Sequence, residues 1–174
     1  MIISIKTKTL KKSQILSICK LKNTYWRWTI KKQLEWFEKT SAKNDINNML
    51  IINNELVGYT LLRKRRAFEN NKSFFYYYLD SMMLHKKTRK KGFGKILMLF
   101  NNKILVKLKK HAFLTCTKET VPFYSKHDWK LLNKNKFQIM DHKPKWFNKK
   151  ISLNGMTYNL SKNVKKKIYY KLNK

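Results

Sequence analysis

The sequence predicts a single domain of the α/β (α+β) class, and three observations carry that prediction. The chain has 174 residues, 43% of them hydrophobic, which is enough for one sizeable core and too little for two. Residues from Phe74 to Leu84 form an aromatic and apolar run, as in a buried strand. Beyond Gly92, apolar residues instead recur every three or four positions, which indicates a helix. A strand therefore leads through a glycine-bearing turn into a helix.

Shorter patterns predict the elements on either side of this strand, turn and helix. Alternating or short apolar runs indicate strands, and three- to four-residue spacing indicates helices. The predicted helices are Lys11–Leu21, the aromatic-rich segment Trp26–Phe37, and a short helix around Pro122 with Thr120 as its N-cap. The predicted strands are Ile2–Ile5, Asn48–Ile52, Leu56–Leu62, Ala112–Cys116, Trp129–Leu132 and Phe137–Met140.

Two turns and one charged run connect these elements. Asn53-Asn54-Glu55 predicts a hairpin between the strands that flank it, and Asn154-Gly155 predicts a second hairpin within Lys149–Leu160. Four consecutive cations, Arg63 to Arg66, follow the strand that ends at Leu62. Such a run is usually a solvated strand end or a loop, and a phosphate-binding patch is the alternative.

The turn Arg89-Lys90-Lys91-Gly92-Phe93-Gly94 is the main candidate for a functional site. The first backbone N–H groups of a helix have no partner within it and lie at the positive end of its dipole. Gly92 and Gly94 let the backbone approach an anion closely, and the cations, with Lys95, add charge, so a pyrophosphate fits. The spacing excludes a P-loop, and the missing third glycine excludes a dinucleotide fingerprint. The alternative is a basic turn without a ligand.

Two segments resemble the GNAT family of N-acetyltransferases. Leu84–Lys95 is similar to the family's motif A, which reads roughly Q/R-x-x-G-x-G/A after a strand. Val121–Trp129 is similar to the family's FYxKxGF segment, with Asp128 where the family usually has glycine. Aspartate tolerates a left-handed backbone better than most residues, so we expect this turn to survive. The resemblance extends in outline from Leu50 to Tyr158.

The resemblance implies a mixed, mostly antiparallel central sheet flanked by helices, with acetyl-CoA as the acyl donor. By analogy, the glycine turn holds the donor's pyrophosphate. The backbone at the end of the preceding strand pairs with the pantetheine arm and polarises the thioester carbonyl. The implied donor-binding residues are Met82, Met83, Leu84, Arg89, Lys90, Lys91, Gly92, Phe93, Gly94 and Lys95.

Three residues are catalytic candidates. Tyr124 matches the tyrosine that the family often uses as general acid toward the CoA thiolate, and an ordinary packed helix tyrosine is the alternative. Two carboxylates are candidates for the general base. Asp80 is in phase with Met82 and Leu84 on the central strand, where a half-buried carboxylate suits proton abstraction. Glu119 follows the next predicted strand. A chain of water molecules is the alternative to both.

The acceptor amine is predicted from the aromatic segment between the first two helices. In the resembled family this region helps to shape the acceptor pocket, which makes Trp26, Trp28 and Gln33 candidate acceptor contacts. The alternative is that the tryptophans are core residues. Two acceptors fit, an amino sugar carried on a nucleotide or a lysine or N-terminal amine of a protein. A free polyamine is disfavoured, because a cationic protein repels a polycation.

The composition predicts a polyanionic partner. Lys and Arg number 41 against 9 Asp and Glu, which gives a formal net charge of +32. Such a charge attracts nucleic acid, a ribosome, an anionic membrane face or a phosphorylated substrate. It also favours a rival function, a non-catalytic GNAT-fold module that binds RNA or the ribosome. Because lysine dominates the C-terminal end, we predict a domain over residues 1–160 and a basic tail over 161–174.

Cysteine usage and hydropathy bound the remaining classes. Cys19 and Cys116 have no Cys-x-x-Cys partner and no matching histidine ligands, so we expect buried thiols and no metal site or disulfide. No apolar run reaches 18 residues, and Met1–Leu10 alternates apolar with polar residues, so neither a membrane span nor a signal peptide is predicted. A reducing, cytoplasmic location fits these features.

Overall fold

The computed structural model describes residues 1–70, 72–140, 153–160 and 166–172. Within these residues the chain forms nine β-strands and four α-helices. The strands are β1 (Ile2–Lys6), β2 (Ile46–Ile52), β3 (Glu55–Glu69), β4 (Lys72–Leu84), β5 (Ala112–Cys116), β6 (Lys130–Leu131), β7 (Phe137–Ile139), β8 (Asn154–Tyr158) and β9 (Ile168–Tyr170). The helices are α1 (Lys12–Asn23), α2 (Ile30–Thr40), α3 (Phe93–Lys107) and α4 (Val121–Ser125).

The strands form a mixed sheet in the order β1-β2-β3-β4-β5-β8-β6, and β9 pairs with both β3 and β7. The pairs β1–β2, β2–β3, β3–β9, β5–β8 and β6–β8 are antiparallel. The pairs β4–β5 and β7–β9 are parallel. The predicted α/β (α+β) class, with a mixed and mostly antiparallel sheet flanked by helices, is therefore confirmed.

The chain divides into two compact units that are interleaved in sequence. The first comprises Met1–Arg63 and Asp80–Asn101, and the second comprises Lys64–Leu79 and Asn102–Lys174. The strands β3 and β4 and the helix α3 each contribute residues to both units. Each unit has its own buried cluster of apolar side chains, described in turn below.

The first unit is built on the buried faces of α1 and α2. Ile18 and Leu21 from α1 and Phe37 from α2 pack with Tyr59 and Met83 from the strands in one buried cluster. Spacings of three and four residues place each helix's apolar side chains on one face, which explains why these segments are helical. Burial of this face, more than intrinsic propensity, stabilises helices of 12 and 11 residues.

Gly58 allows three elements of the first unit to approach one another. A β-carbon added at this position of β3 would lie 2.9 Å from a methyl group of Leu84 on β4 and 2.9 Å from one of Leu97 on α3. It would also lie 3.3 Å from the β-carbon of Leu50 on β2. A larger residue here would have to displace the ends of both leucine side chains, so glycine allows α3 to pack closely on these strands.

A buried polar network also fixes α3 in the first unit. The Asn101 Oδ1 atom accepts hydrogen bonds from Asn48 Nδ2 at 2.8 Å and from Thr60 Oγ1 at 3.0 Å. Its own amide donates to the Leu97 carbonyl at 2.7 Å. All three polar side chains are fully buried, so the network specifies the rotation of α3 about its axis as well as its position.

The second unit has an aromatic core. The rings of Phe113 and Tyr170 stack with centroids 3.9 Å apart and an interplanar angle of 9°. Tyr76 meets Tyr170 edge to face at 4.9 Å, and His111 stacks on Tyr76 at 5.6 Å. These residues come from β4, β5, β9 and the residue just before β5, so the aromatic cluster joins strands that are distant in sequence.

Most predicted elements are confirmed. The prediction of a loop or a solvated strand end at Arg63 to Arg66 was wrong. β3 continues through Arg63-Lys64-Arg65-Arg66 to Glu69, so the run is neither a loop nor a solvated strand end. Alternation along the strand buries Arg63 and Arg65, which are 5% and 4% exposed, and exposes Lys64 and Arg66. Two of the four positive charges are therefore buried and make contacts inside the protein.

Three further local expectations need correction. Trp26 and Trp28 precede α2, which begins only at Ile30. Asn154 and Gly155 open the strand β8 and so do not form a hairpin turn, while residues 149–152 lie outside the described part of the chain. Thr120 occupies the N-cap position of α4, but its hydroxyl makes no cap and donates to the Thr117 carbonyl at 3.0 Å.

The described part of the chain includes only some residues of the predicted C-terminal tail. The boundary predicted between residues 1–160 and a tail over 161–174 remains a prediction, since residues 161–165 and 173–174 lie outside the described part. Within the described part, Ile168–Tyr170 is the strand β9. Among the helices formed by the described residues, none is long and apolar enough to cross a membrane. Cys19 and Cys116 are free and buried, as expected.

Candidate active site

The glycine turn lies in the first unit, between the end of β4 and the start of α3. A short 3-10 turn over Lys86–Thr88 follows the strand, and the α-helix begins at Phe93. Lys90 and Gly92 both have left-handed backbone conformations, with φ of +61° and +80°. This double reversal turns the chain from the strand into the helix. The Ile96 N–H donates to the Gly92 carbonyl at 3.2 Å, which starts the helical ladder.

Hydrogen bonds to β3 and within the chain hold the segment that leads into the glycine turn. The His85 N–H donates to the Val57 carbonyl at 2.7 Å, and the Thr88 hydroxyl donates to the His85 carbonyl at 2.8 Å. The Thr88 N–H donates to the same carbonyl at 2.9 Å. These bonds fix the chain just before the glycine turn, at His85 and Thr88, which lowers the conformational cost of presenting the turn to a ligand.

The open side of the turn, in front of Gly92, suits an anion. A β-carbon added at Gly92 would meet no atom within 4 Å, so the glycine leaves open space in front of the first turn of α3. Arg89, Lys90, Lys91 and Lys95 are exposed around it. No acidic residue occurs in the sequence between Asp80 and Glu119, so no nearby carboxylate in the chain segment neutralises these cations. The described residues therefore fit the pyrophosphate of coenzyme A.

The second segment with a family resemblance lies in the second unit and carries Tyr124 on α4. The Tyr124 carbonyl accepts from the N–H groups of His127 at 2.9 Å and Trp129 at 3.2 Å, which closes the helix. Asp128 has a φ of +66°, so it takes the left-handed conformation predicted for it. Burial, reinforced by the nearby Cys116, raises the pKa of Tyr124 to about 12. The phenol is therefore protonated at neutral pH.

The sequence matches a family model described as "Acetyltransferase (GNAT) family" over residues 15–129. This range covers both resembling segments and well over half of the 174 residues. The chain belongs to the GNAT acetyltransferase family. Members of this family take the acetyl group from acetyl-CoA, so the predicted acyl donor is confirmed at the level of the family.

Solved structures share the GNAT fold with this chain. An acyl-CoA N-acyltransferase from Pseudomonas aeruginosa has a TM-score of 0.66 and 11% identity, covering 90% of this chain and 98% of its own. An aminoglycoside 6'-N-acetyltransferase complexed with coenzyme A has a TM-score of 0.65 and 12% identity, and the match covers 90% of this chain and 96% of that enzyme. The ribosomal-protein-S18-alanine N-acetyltransferase from Escherichia coli has a TM-score of 0.59 and 12% identity, and the match covers 90% of this chain and 92% of that enzyme. A search of curated proteins gave no significant match.

The donor-binding residues predicted at the end of β4 in this GNAT chain differ in exposure. Met83 is buried in the core of the first unit, while Met82 and Leu84 are partly exposed. Only backbone groups are expected to serve a donor here, so the burial of the Met83 side chain is compatible with its predicted role. The Leu84 backbone is already hydrogen-bonded, to the hydroxyl of Tyr25.

Asp80 and Glu119, the two predicted general bases, have contrasting surroundings. Asp80 Oδ2 accepts from Arg63 Nε at 3.0 Å and lies 3.0 Å from Arg63 Nη2, so the carboxylate is ion-paired. Glu119 is fully exposed on a short 3-10 turn, and a hydrogen bond from Thr117 lowers its pKa. The lowered pKa of Glu119 makes it a weaker base, while the carboxylate of Asp80 is already engaged by Arg63.

The predicted acceptor residues occupy one segment of the first unit. Trp26 and Trp28 are each 46% exposed, so they are not core residues. A cavity of about 460 Å³ is lined by Trp28, Lys32, Glu35, Trp36 and Lys39. Gln33 is fully buried and donates from Nε2 to the Trp26 carbonyl at 3.0 Å, which fixes the segment that carries the indoles.

Sequence reasoning missed Lys22, whose side chain contacts Trp36 and Trp26. It is only 8% exposed, and its Nζ atom lies 2.9 Å from the centroid of the Trp36 ring. Burial lowers the pKa of Lys22 to about 8, and the charge of Asp80 opposes that fall. Its side chain points inward because α1 is amphipathic, and its periodicity with Ile18 and Cys19 was the available signal.

Proposed function

We propose that this protein transfers the acetyl group of acetyl-CoA to the primary amine of an amino sugar nucleotide. The observation that carries the donor half is the turn at Gly92, with its left-handed backbone, open space and surrounding cations. The membership of the GNAT family supports acetyl transfer in general. The acceptor half is the finer proposal, with a protein amine as the other candidate acceptor.

For donor binding, the turn's backbone N–H groups and the first turn of α3 hold the pyrophosphate. The side chains that add charge are Arg89, Lys90, Lys91 and Lys95, while Phe93 and Gly94 contribute backbone. The backbone of Met82, Met83 and Leu84 pairs with the pantetheine arm and orients the thioester carbonyl. Bound acetyl-CoA supplies an activated thioester whose departing thiolate needs a proton.

Tyr124 provides that proton in this proposal. With its pKa raised to about 12, the phenol is fully protonated near neutral pH, but it is a weaker acid than a phenol in water. Hydrogen bonds from the N–H groups of His127 and Trp129 to its carbonyl fix the backbone of Tyr124 at the end of α4. The general base is proposed to be Asp80 or Glu119, and the two are separated by substitution.

The acceptor proposal rests on the cavity beside Trp28. Two indoles offer flat surfaces on which a base or a sugar can stack, and Lys32 and Lys39 offer charge for phosphates. Glu35 adds one carboxylate for the amine. An amino sugar nucleotide matches this combination, because it carries an aromatic base, phosphates and an amine in one molecule. A protein amine has no phosphate for the lysines.

Binding of coenzyme A, measured by calorimetry, tests the donor half. Arg89→Ala combined with Gly92→Asp lowers the net charge by two at the turn and should abolish binding. Lys109→Asp is the matched control: it also lowers the charge by two, at an exposed residue beyond the far end of α3. No affinity in the wild type at millimolar coenzyme A would refute the proposal. Equal affinity in the wild type and the double variant would refute the assignment of the turn.

Acetylation assays with paired acceptors test the acceptor half. The same amino sugar is offered free and as its nucleoside diphosphate conjugate, alongside a lysine-containing peptide. We expect the nucleotide form to have the highest kcat/KM, and Lys32→Ala with Lys39→Ala to reduce that preference. Preference for the peptide would replace the nucleotide acceptor by a protein amine.

A binding function for the basic surface is the second candidate. The net charge of +32 and the exposed lysines favour attraction to RNA or a ribosome. If this is the main function, RNA affinity falls steeply with added salt and coenzyme A does not bind. A salt-insensitive or absent interaction with RNA would exclude it.

A further inference from the structure

Tyr25 caps the exposed end of β4 with a reciprocal pair of hydrogen bonds. Its hydroxyl donates to the Leu84 carbonyl at 2.7 Å and accepts from the Leu84 N–H at 2.8 Å. One phenolic oxygen therefore satisfies both backbone groups of a single residue 59 positions away in sequence. Both distances lie within the ordinary range for their type, so the pair is well formed.

Arg89 makes the contact more specific. Its guanidinium lies 4.7 Å from the centroid of the Tyr25 ring, and its Nε donates to the same Leu84 carbonyl at 3.4 Å. Tyr25 itself is 37% exposed, so hydrophobic burial alone does not hold it in place. The contact depends on the two hydrogen bonds and the cation–π interaction, all made to residues of the proposed donor site.

We propose that Tyr25 is a latch that competes with the donor for Leu84 and Arg89. The inference rests on the proposed function, which assigns these two residues to acetyl-CoA. A pantetheine amide needs the same backbone N–H and carbonyl that the Tyr25 hydroxyl occupies, and the pyrophosphate attracts the same guanidinium. The donor binds only when Tyr25 leaves, so the latch sets the affinity for the donor.

The surrounding segment allows Tyr25 to move without unfolding a helix. Its neighbours are anchored on both sides, because the Thr24 hydroxyl donates to the Leu21 carbonyl at 2.8 Å and the Trp28 N–H donates to Asn23 Oδ1 at 2.9 Å. The Gln33 amide holds the Trp26 carbonyl. Rotation of the Tyr25 side chain therefore suffices to release Leu84.

Release of Tyr25 also reaches the proposed acceptor residues. The rings of Tyr25 and Trp26 lie 5.8 Å apart at an angle of 35°, so Trp26 loses a packing partner when Tyr25 swings out. Donor entry therefore changes the surroundings of the Trp26 ring, while the backbone of the segment stays anchored.

Calorimetric titration of Tyr25→Phe with coenzyme A tests the latch without any turnover. Phenylalanine keeps the ring over Arg89 and removes only the oxygen that occupies Leu84. A latch that is closed in about nine molecules of ten weakens apparent affinity about tenfold, so the variant should bind coenzyme A about tenfold more tightly. The matched control is Tyr169→Phe, which removes a hydroxyl from an equally exposed tyrosine and should leave Kd unchanged.

The outcomes separate the two proposals. Failure of the wild type and both variants to bind coenzyme A would refute the proposed function and the latch with it. Binding with equal or weaker affinity in Tyr25→Phe, with thermal unfolding unchanged, would overturn the latch alone. A second readout is tryptophan fluorescence: coenzyme A should change the emission of the wild type, and Trp26→Phe should remove most of that change. No change in the wild type would also contradict the release of Tyr25.

Discussion

Arg63 holds Asp80 through two nitrogens, Nε and Nη2, each 3.0 Å from the same carboxylate oxygen, Oδ2. Arg63 also donates from Nη1 to the Thr40 carbonyl at 2.7 Å, which ties β3 to the end of α2. The guanidinium is almost fully buried, while Asp80 keeps part of its surface exposed. Asp80 is therefore the counter-charge that allows an arginine to be buried in the first unit.

Substitution of Asp80 by Asn should destabilise the protein. The change leaves Arg63 buried without its counter-charge, and we expect the free energy of unfolding to fall by on the order of 2 kcal/mol. Urea denaturation measures this loss. Glu38→Gln, which removes one negative charge from an exposed position of α2, is the control and should have little effect.

Asp80→Asn and Glu119→Gln together distinguish the two proposed bases. If Asp80 takes the proton from the acceptor, Asp80→Asn lowers kcat by about 10²-fold or more at a temperature where the variant is folded. Glu119→Gln should then leave kcat within about twofold. The reverse pattern would assign the base to Glu119, and two active variants would favour a water chain.

Tyr124→Phe should lower turnover and leave donor binding intact. Loss of a general acid typically reduces kcat by about 10²- to 10⁴-fold, while the ring and its packing are preserved. Calorimetry with coenzyme A checks that affinity is unchanged. A kcat close to that of the wild type would show that another group protonates the thiolate.

The raised pKa of Tyr124 also predicts the shape of the alkaline pH profile. Because its pKa is about 12 in the folded protein, the acid form persists well above pH 10. Below about pH 10, ionisation of Tyr124 should therefore cause no fall in rate. Any decline of the wild-type rate in that range should also be present in Tyr124→Phe. Measurement of kcat against pH in both proteins provides the check, and a Tyr124-dependent decline near pH 8 would contradict it.

His111 should make the protein sensitive to acid. Burial lowers the pKa of His111 to about 4 from an ordinary value of 6.5, and its Nε2 lies 3.0 Å from the Tyr170 hydroxyl. Unfolding exposes a histidine that binds a proton more readily, so stability is complete above pH 6.5 and is lost as pH falls toward 4. The shift corresponds to on the order of 3 kcal/mol.

Chemical denaturation between pH 4 and 7.5 measures this dependence. His111→Gln removes the titrating group, so the slope of stability against pH should flatten in that range even though the variant is less stable overall. His85→Gln is the control, because His85 lies partly exposed in the motif turn. An unchanged slope in His111→Gln would show that other groups cause the acid sensitivity.

Asn102 should be essential for the segment that carries Tyr124. Its Nδ2 donates to the His127 carbonyl at 2.8 Å, and its Oδ1 accepts from Trp129 Nε1 at 3.0 Å. Asn102→Leu leaves both groups buried without partners, which should lower the free energy of unfolding by about 2 to 5 kcal/mol. Asn135→Ala, at an exposed position, is the control. A red shift in tryptophan emission would report that Trp129 becomes exposed to water.

Features that depend on adjacent residues could be predicted from the sequence. The apolar run of β4, the switch to helical spacing after Gly92 and the left-handed backbone at Asp128 follow from local chemistry, and the structure confirms each. The same holds for the strand and turn around Asn53-Asn54, both of which have positive φ. Local sterics and hydrophobic period decide these elements.

Features that depend on distant partners could not be predicted. Tyr25 and Leu84 are 59 residues apart, and Asn48 and Asn101 are 53 residues apart, so neither pair has a local signature. The cation run was misplaced for the same reason. Arg63 is buried because Asp80 lies across from it, and four adjacent positive charges contain no information about that partner. Strand alternation becomes visible only once the ends of β3 are known.

The inward-facing arginines of β3 have a consequence for which substitutions this strand tolerates. Only five of the 41 Lys and Arg residues are arginines. Two of them, Arg63 and Arg65, each donate from more than one nitrogen to fixed acceptors, as with Arg65 Nε to the Leu172 carbonyl at 2.9 Å. A lysine ammonium cannot reproduce that planar set of donors. Exchange of arginine for lysine, which preserves the charge, is therefore not a conservative change at these two positions.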